Sequence, residues 1–239
     1  MSLPQLVDDA RAVIEYSLRL LGHDELILLG HSWGSFLAVH TLHQSSQGIA
    51  AYVATGQVAD MVENHRDRFD FALEAARTSG NAVAMAQLQA LVDDPVVGAG
   101  DRATRAVVRN WAKRFGWAKG REQDWRNRSL LMTTEEYSLF DIYRYLRGSI
   151  LSMDTLGRAL FEPRQQPMQI SNRLPVPFYL FSGADDTFTP TDLATRYFER
   201  VQAPVKEHVI FTGSGHWPMV DEPGAYLDAL VRRVREHVT

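Results

Sequence analysis

Apolar residues recur every three or four positions from the start of the chain. Leu3, Leu6, Val7, Ala10, Val13, Ile14 and Leu21, with Ser17 among them, predict an amphipathic helix over 3–21. Ser2 and Gln5 have the spacing of a capping box, Pro4 suits a first turn, and Gly22 ends the pattern. The periodicity then changes. "ELILLG" (25–30) is short, apolar and bounded by turn signals, as a strand buried in a parallel sheet would be. "SFLAVHTLHQ" (35–44) predicts a helix and "IAAYVATG" (49–56) a second strand. From about Asp60 to Ile170 only helical segments are legible: "FDFALEAARTSG", "NAVAMAQLQALV", "ATRAVVRNWAKRFGW" and "TTEEYSLFDIYRYLRG". Thr133 and Glu136 give the last of these a second capping box. Strand character resumes at "VPFYLFSG" (176–183). A helix follows from Thr189-Pro190, then "KEHVIFT" (206–212) and a closing helix from about Glu222.

Strands alternating with helices predict an α/β fold with a mostly parallel sheet of about four visible strands. An all-helical insertion interrupts it. The expected division is a core of 1–57 and 171–239 with a helical cap at 58–170. No internal repeat or low-complexity segment is evident.

Composition narrows the chemistry. The 239 residues suit one large domain, or a core with one insertion. A net charge of -4 gives no reason to expect nucleic acid or an anionic membrane as partner. With no cysteine, disulfides, thiolate catalysis and thiolate metal sites are excluded. No apolar run approaches the ~20 residues of a membrane span. "MSLPQLVDD" lacks the basic flank and apolar stretch of a signal peptide, so a cytoplasmic location is expected. No cofactor or metal is implied. His40 and His43 lie three apart on a helix with no third ligand, and read as helix-surface residues.

The catalytic signal lies at Gly30-His31-Ser32-Trp33-Gly34, where strand turns into helix. Gly-x-Ser-x-Gly in that context is a nucleophile elbow. Side chains at Gly30 and Gly34 are expected to collide with neighbouring backbone, and the turn presents Ser32 at a helix N-terminus. Backbone N–H groups there can stabilise an oxyanion. A serine hydroxyl also needs a base and a group to orient that base, in the chain order Ser, Asp or Glu, His. "FSGADDTFTP" offers Asp185 and Asp186 just after the third strand, and "VIFTGSGHWPMVDEP" offers His216 after the fourth. All three residue types fall at C-terminal strand ends, where open α/β sheets bind ligands.

"GHSWGS", "GADDTFTP" and "GSGHWPMVDEP" resemble the three signature segments of α/β-hydrolases. "ATGQVADM", "TPTDLATRYFERVQAPVKEHVIF" and the insertion between them are similar to the prolyl-iminopeptidase-like branch of serine aminopeptidases and esterases. The resemblance implies Ser32 as nucleophile, His216 as general base and Asp186, three residues after Gly183, as the acid. It implies that the backbone N–H of Trp33 serves the oxyanion. It further implies strands before the elbow and a His-Gly-rich loop carrying a second oxyanion donor, neither of which precedes Ser32 here. Losing one such donor typically costs ~10²–10³ in kcat.

A serine at the elbow argues against dehalogenase or epoxide-hydrolase chemistry, which the family performs with a carboxylate there. The expected function is hydrolysis of a small ester, amide or short peptide through an acyl-enzyme, with N-terminal peptide trimming ahead of carboxylesterase action. The competing reading is a catalytically weak or inactive truncated hydrolase that needs a partner chain. Because the family's elbow strand is central, "ELILLG" without a partner on its far side becomes an open edge, and a homodimer is expected.

The insertion carries further candidates. Nine basic residues between 102 and 128 face two acidic ones, Glu122 and Asp124, and read as a solvated face. Trp111, Trp117, Trp125, Tyr137, Phe140 and Tyr143 are expected mostly in the insertion's core, with one or two lining a pocket. The branch's aminopeptidases recognise a substrate ammonium with carboxylates of the insertion; Glu135 and Glu136 are the candidates for that role, and Glu136 already has a capping explanation.

Overall fold

The computed structural model describes residues 2–91, 102–117, 137–170 and 172–235. The first helix, α1 (Leu3–Leu21), begins where expected, with Gln5 N–H donating to the Ser2 hydroxyl at 3.4 Å. It ends at Gly22, whose φ of 66° is the left-handed cap glycine adopts readily. Four strands follow among the described residues: β1 (Leu26–His31), β2 (Ile49–Thr55), β3 (Phe178–Gly183) and β4 (Lys206–Phe211). Each lies within two residues of its expected ends. They form one parallel sheet in the order β1-β2-β3-β4.

Period-two alternation assigns each strand residue to one of two cores. Tyr52 and Ala54 of β2 and Phe178 and Leu180 of β3 face one side. There they pack against Ile14 of α1, Val39 and Leu42 of α2 (Trp33–Gln44), and Leu193 and Tyr197 of a helix over Thr191–Arg200. Ala51, Val53, Tyr179 and Phe181 face the other side, against Phe211, Tyr226, Ala229 and Val234. The C-terminal segment there is a helix at Pro223–Ala229 continued by a π-helical turn, Leu230–Arg235. β2 and β3 are covered on both faces, which is why they read as near-continuous apolar runs. β1 is different. Among the described residues it pairs only with β2, and Leu29 is 52% exposed.

Between β2 and β3 the described residues are helical: α3 (Met61–Thr78), α4 (Ala82–Gln89), α5 (Arg102–Arg114), α6 (Leu139–Leu160) and short turns at Pro163–Gln165 and Pro167–Ile170. Asp60 starts α3 by accepting from Val62 N and Glu63 N, both at 2.9 Å. Phe69, Ala72, Ala76, Leu88, Val108 and Trp111 give α3, α4 and α5 a small core of their own. Gln166, fully buried, ties the two ends of the segment. Its Oε1 accepts from Met61 N at 2.8 Å, while its Nε2 donates to the carbonyls of Leu160 and Glu162, both at 2.9 Å.

Three expectations are corrected here. Tyr137, ahead of α6, and Phe140 and Tyr143 on it are exposed rather than in a core, since no buried apolar cluster among the described residues reaches them. His43 is exposed as expected, but His40 is half-buried, with Nε2 3.0 Å from the Gln165 carbonyl. Gly34 is not crowded, since a Cβ there would meet nothing within 4 Å. Thr133, Glu135, Glu136, Trp125 and the basic residues from 119 to 128 lie outside the described residues. No described helix is long and apolar enough to cross a membrane.

Candidate active site

At the end of β1 the chain makes a forced turn. Ser32 has φ 54° and ψ -121°, and among the described residues it alone combines a positive φ with a side chain. Such a conformation costs of order 1–3 kcal/mol and persists only where its surroundings impose it. Ser32 N–H donates to the Thr55 carbonyl at 2.9 Å, holding the turn against the end of β2. Gly30 permits it: a Cβ there would sit 2.8 Å from the Gly34 carbonyl oxygen and 2.9 Å from Ser35 Cα. The Ser32 hydroxyl makes no capping bond to α2, although it occupies the N-cap position. Trp33 is the first residue of α2, so its backbone N–H has no acceptor within the helix.

The acid turn and the base loop are built against each other. Asp186, 5% exposed, accepts at Oδ1 from Phe188 N (2.9 Å) and Thr189 N (3.0 Å). At Oδ2 it accepts from Thr189 Oγ1 (2.7 Å) and His216 Nδ1 (2.8 Å). Four donors converge on one carboxylate and fix its orientation. Asp185 is exposed, and its backbone N–H bonds the Ser214 carbonyl at 3.0 Å. The structure therefore joins Asp186, and not Asp185, to His216. The close approach needs Gly183, where a Cβ would lie 1.9 Å from the Gly215 carbonyl oxygen.

His216 donates from Nδ1, because the carboxylate oxygen facing it can only accept. Its lone pair is then at Nε2. The base loop is held from behind by two carboxylates after it. Glu222 Oε1 accepts from Gly213 N (2.9 Å) and Ser214 Oγ (2.7 Å), and Asp221 Oδ2 accepts from Gly215 N (3.3 Å).

His31 links the elbow to that loop. Its Nε2 lies 2.9 Å from the His216 carbonyl, and its ring packs on His216 and Trp217, with centroids 4.8 and 4.4 Å apart. Burial lowers the His31 pKa, which keeps the ring neutral and an Nε2–H donor at neutral pH. Gly56, with φ 55° at the end of β2, leaves the space His216 occupies; a Cβ there would lie 3.0 Å from Cε1. Elbow, acid turn and base loop thus meet at one corner of the sheet.

Sequence reasoning missed Thr189, Gly56 and the holding role of His31. Thr189 sits within a quoted segment, three residues after Asp186, where an Asx turn was readable. Gly56 and His31 become significant only through long-range contacts. Among the described residues no cluster of three or more His, Cys, Asp or Glu could hold a metal ion.

Comparison with known proteins identifies the fold. The chain is 24% identical over 245 residues to a probable aminopeptidase, YbaC, of Bacillus subtilis, covering all of this chain and 74% of that protein. An esterase from Exiguobacterium antarcticum superposes with a TM-score of 0.53 at 15% identity, over 98% of this chain and 74% of that one. A meta-cleavage product hydrolase from Pseudomonas fluorescens gives 0.54 at 17%, over 99% and 73%. The model of the alpha/beta hydrolase fold matches residues 6–223, nearly the whole chain, and the protein belongs to that family.

Proposed function

We propose that this protein is a serine hydrolase that cleaves a small ester, amide or short peptide through an acyl-enzyme on Ser32. The observation carrying the reading is the Asp186–His216 pair at 2.8 Å, touched by His31, whose chain neighbour is a strained serine with a hydroxyl that does not cap its own helix. In this reading His216 Nε2 takes the Ser32 proton as Oγ attacks the carbonyl carbon. Asp186 stabilises the imidazolium through Nδ1–H and fixes its tautomer. The Trp33 N–H faces the oxyanion of the tetrahedral intermediate. On collapse, His216 returns the proton to the leaving group, and water repeats the sequence to release the acid.

Within this class, trimming of N-terminal residues from short peptides is favoured by the relationship to a probable aminopeptidase. A fluorophosphonate probe read by intact mass tests the nucleophile. One adduct on the wild-type chain and none on Ser32→Ala is expected; equal labelling of both would reject Ser32. A panel of p-nitrophenyl esters and prolyl-naphthylamides then separates esterase from peptidase. We further propose that the 239-residue chain pairs with a second copy along the open edge of β1.

A further inference from the structure

One face of α3 reaches out of the insertion to the acid turn. Asn64 and Arg68 lie four residues apart and so project from the same side of the helix. Asn64 Nδ2 donates to the Phe188 carbonyl at 2.8 Å, and Arg68 Nη2 donates to the Thr187 carbonyl at 3.0 Å. Arg68 Nη2 also lies 3.4 Å from Asn64 Oδ1, which couples the two side chains.

The choice of carbonyls matters. A peptide unit is rigid and planar, so fixing its C=O fixes the N–H on its other side. The Thr187 carbonyl shares its unit with the Phe188 N–H, and the Phe188 carbonyl shares its unit with the Thr189 N–H. Those two N–H groups are the ones that hold Asp186 Oδ1, at 2.9 and 3.0 Å. Each α3 side chain therefore grips the back of a peptide whose front grips the acid. A donor on a carbonyl also polarises the unit and strengthens the N–H opposite, more so when the donor is charged.

We propose that Asn64 and Arg68 are positioning residues for Asp186, acting through the Thr187–Phe188 and Phe188–Thr189 peptide units. The proposal rests on the serine-hydrolase reading of the site. Stability alone is a poor account of Arg68. Its side chain is largely buried, and among the described residues its Nε has no hydrogen-bond partner and its guanidinium meets two oxygens of neutral groups and the Trp117 ring at 6.0 Å. Burial, with Arg109 nearby, lowers its pKa to about 10, so it stays cationic at neutral pH. A buried cation held by carbonyls is replaced at little cost by an apolar side chain when only packing is at stake. Here the cation stands behind the ionised acid, whose charge favours it.

The test compares Arg68→Met and Arg68→Lys in the wild-type and Asp186→Asn backgrounds, using a p-nitrophenyl ester. In the wild-type background Arg68→Met is expected to lower kcat about tenfold with KM nearly unchanged, the scale of one charge-assisted hydrogen bond. Arg68→Lys is expected to recover most of that loss. In Asp186→Asn the same change is expected to cost nothing further, because the group being positioned is no longer an ionised acid. An equal loss in both backgrounds, or none in the wild type, overturns the proposal. A second readout needs no turnover: the low-field proton resonance of His216 Nδ1–H is expected in the wild type and Arg68→Lys, and weakened in Arg68→Met. A resonance unchanged in Arg68→Met overturns the proposal even in an inactive protein. Should the wild type neither turn over nor label at Ser32, the serine-hydrolase reading falls and the resonance alone decides the role of α3. If Arg68→Met fails to fold, Asn64→Ser removes the other link and carries the same expectations.

Discussion

Asp186 and Asp185 stand side by side in the chain and differ in everything that matters to His216. Asp186 is buried under four donors, while Asp185 is exposed and contributes its backbone to the base loop. Asp186→Asn is expected to reduce kcat by about 10⁴, because an amide favours the wrong imidazole tautomer. Asp185→Asn is expected to leave kcat within a small factor, and the reverse order would move the acid to Asp185. Gly56 supplies a second prediction. A methyl group there meets His216 Cε1 at 3.0 Å, Nδ1 at 3.1 Å and Thr189 Oγ1 at 3.1 Å, on a backbone with φ 55°. Gly56→Ala should displace the imidazole and lower kcat sharply while the acid turn still folds; wild-type turnover in this variant would show that the ring has slack. Ser32, Asp186 and His216 were legible because their types and strand-end positions follow from short motifs. Asn64, Arg68 and Gly56 were not, because their significance lies in partners more than 100 residues away in the chain.

Elements were legible where one periodicity held without competition. β2 and β3 are near-continuous apolar runs and were found within two residues of their ends. α1 was found to the residue, because Ser2 and Gly22 mark both termini. The insertion was harder. Its helices were recognisable, yet Phe140 and Tyr143 are exposed, since aromatic content alone does not say which face of α6 is covered. Gln166 shows the opposite case: a polar residue in an unremarkable loop that carries both ends of the insertion. Gln166→Leu strips partners from one N–H and two carbonyls, and each buried group left unsatisfied costs about 1–3 kcal/mol. A marked fall in Tm is expected by calorimetry, and an unchanged Tm would mean that these groups find other partners. The same elements set a pH dependence. Burial lowers the pKa of His40 on α2 and His208 on β4, as it does that of His31. Below the unperturbed 6.5 the unfolded chain binds protons that the folded chain refuses, so stability is intact above that value and falls beneath it. Tm should therefore decline from about pH 7.5 to about pH 5.5, and less steeply in His40→Gln/His208→Gln.

The two edges of the sheet are built differently, and the difference decides how whole molecules meet. β4 closes one edge with charge. Lys206 leads it, its ammonium taken up by the carbonyls of Phe198 and Val201, and Glu207 pairs with Arg233. Such side chains oppose pairing with another strand. β1 has no charged residue from Leu26 to Gly30, and Leu29 stands 52% exposed on it. Along an edge strand alternate backbone N–H and C=O groups face outward, so β1 offers hydrogen bonds and apolar surface together. α1 adds Val13, Tyr16, Leu20 and Leu21, each more than half exposed, to the apolar surface of this chain. The 239-residue chain is therefore expected to self-associate through β1, and to sediment at micromolar concentration as a species larger than 27.0 kDa. Leu29→Lys gives β1 the protection that β4 already has, and should shift the chain toward monomer with the Asp186–His216 pair undisturbed. The corresponding change on the far edge, Ile210→Lys, should have no such effect, although Ile210 is 51% exposed. A stable, monodisperse monomer of the unmodified chain would refute pairing at β1, and dissociation by Ile210→Lys alone would place it at the opposite edge.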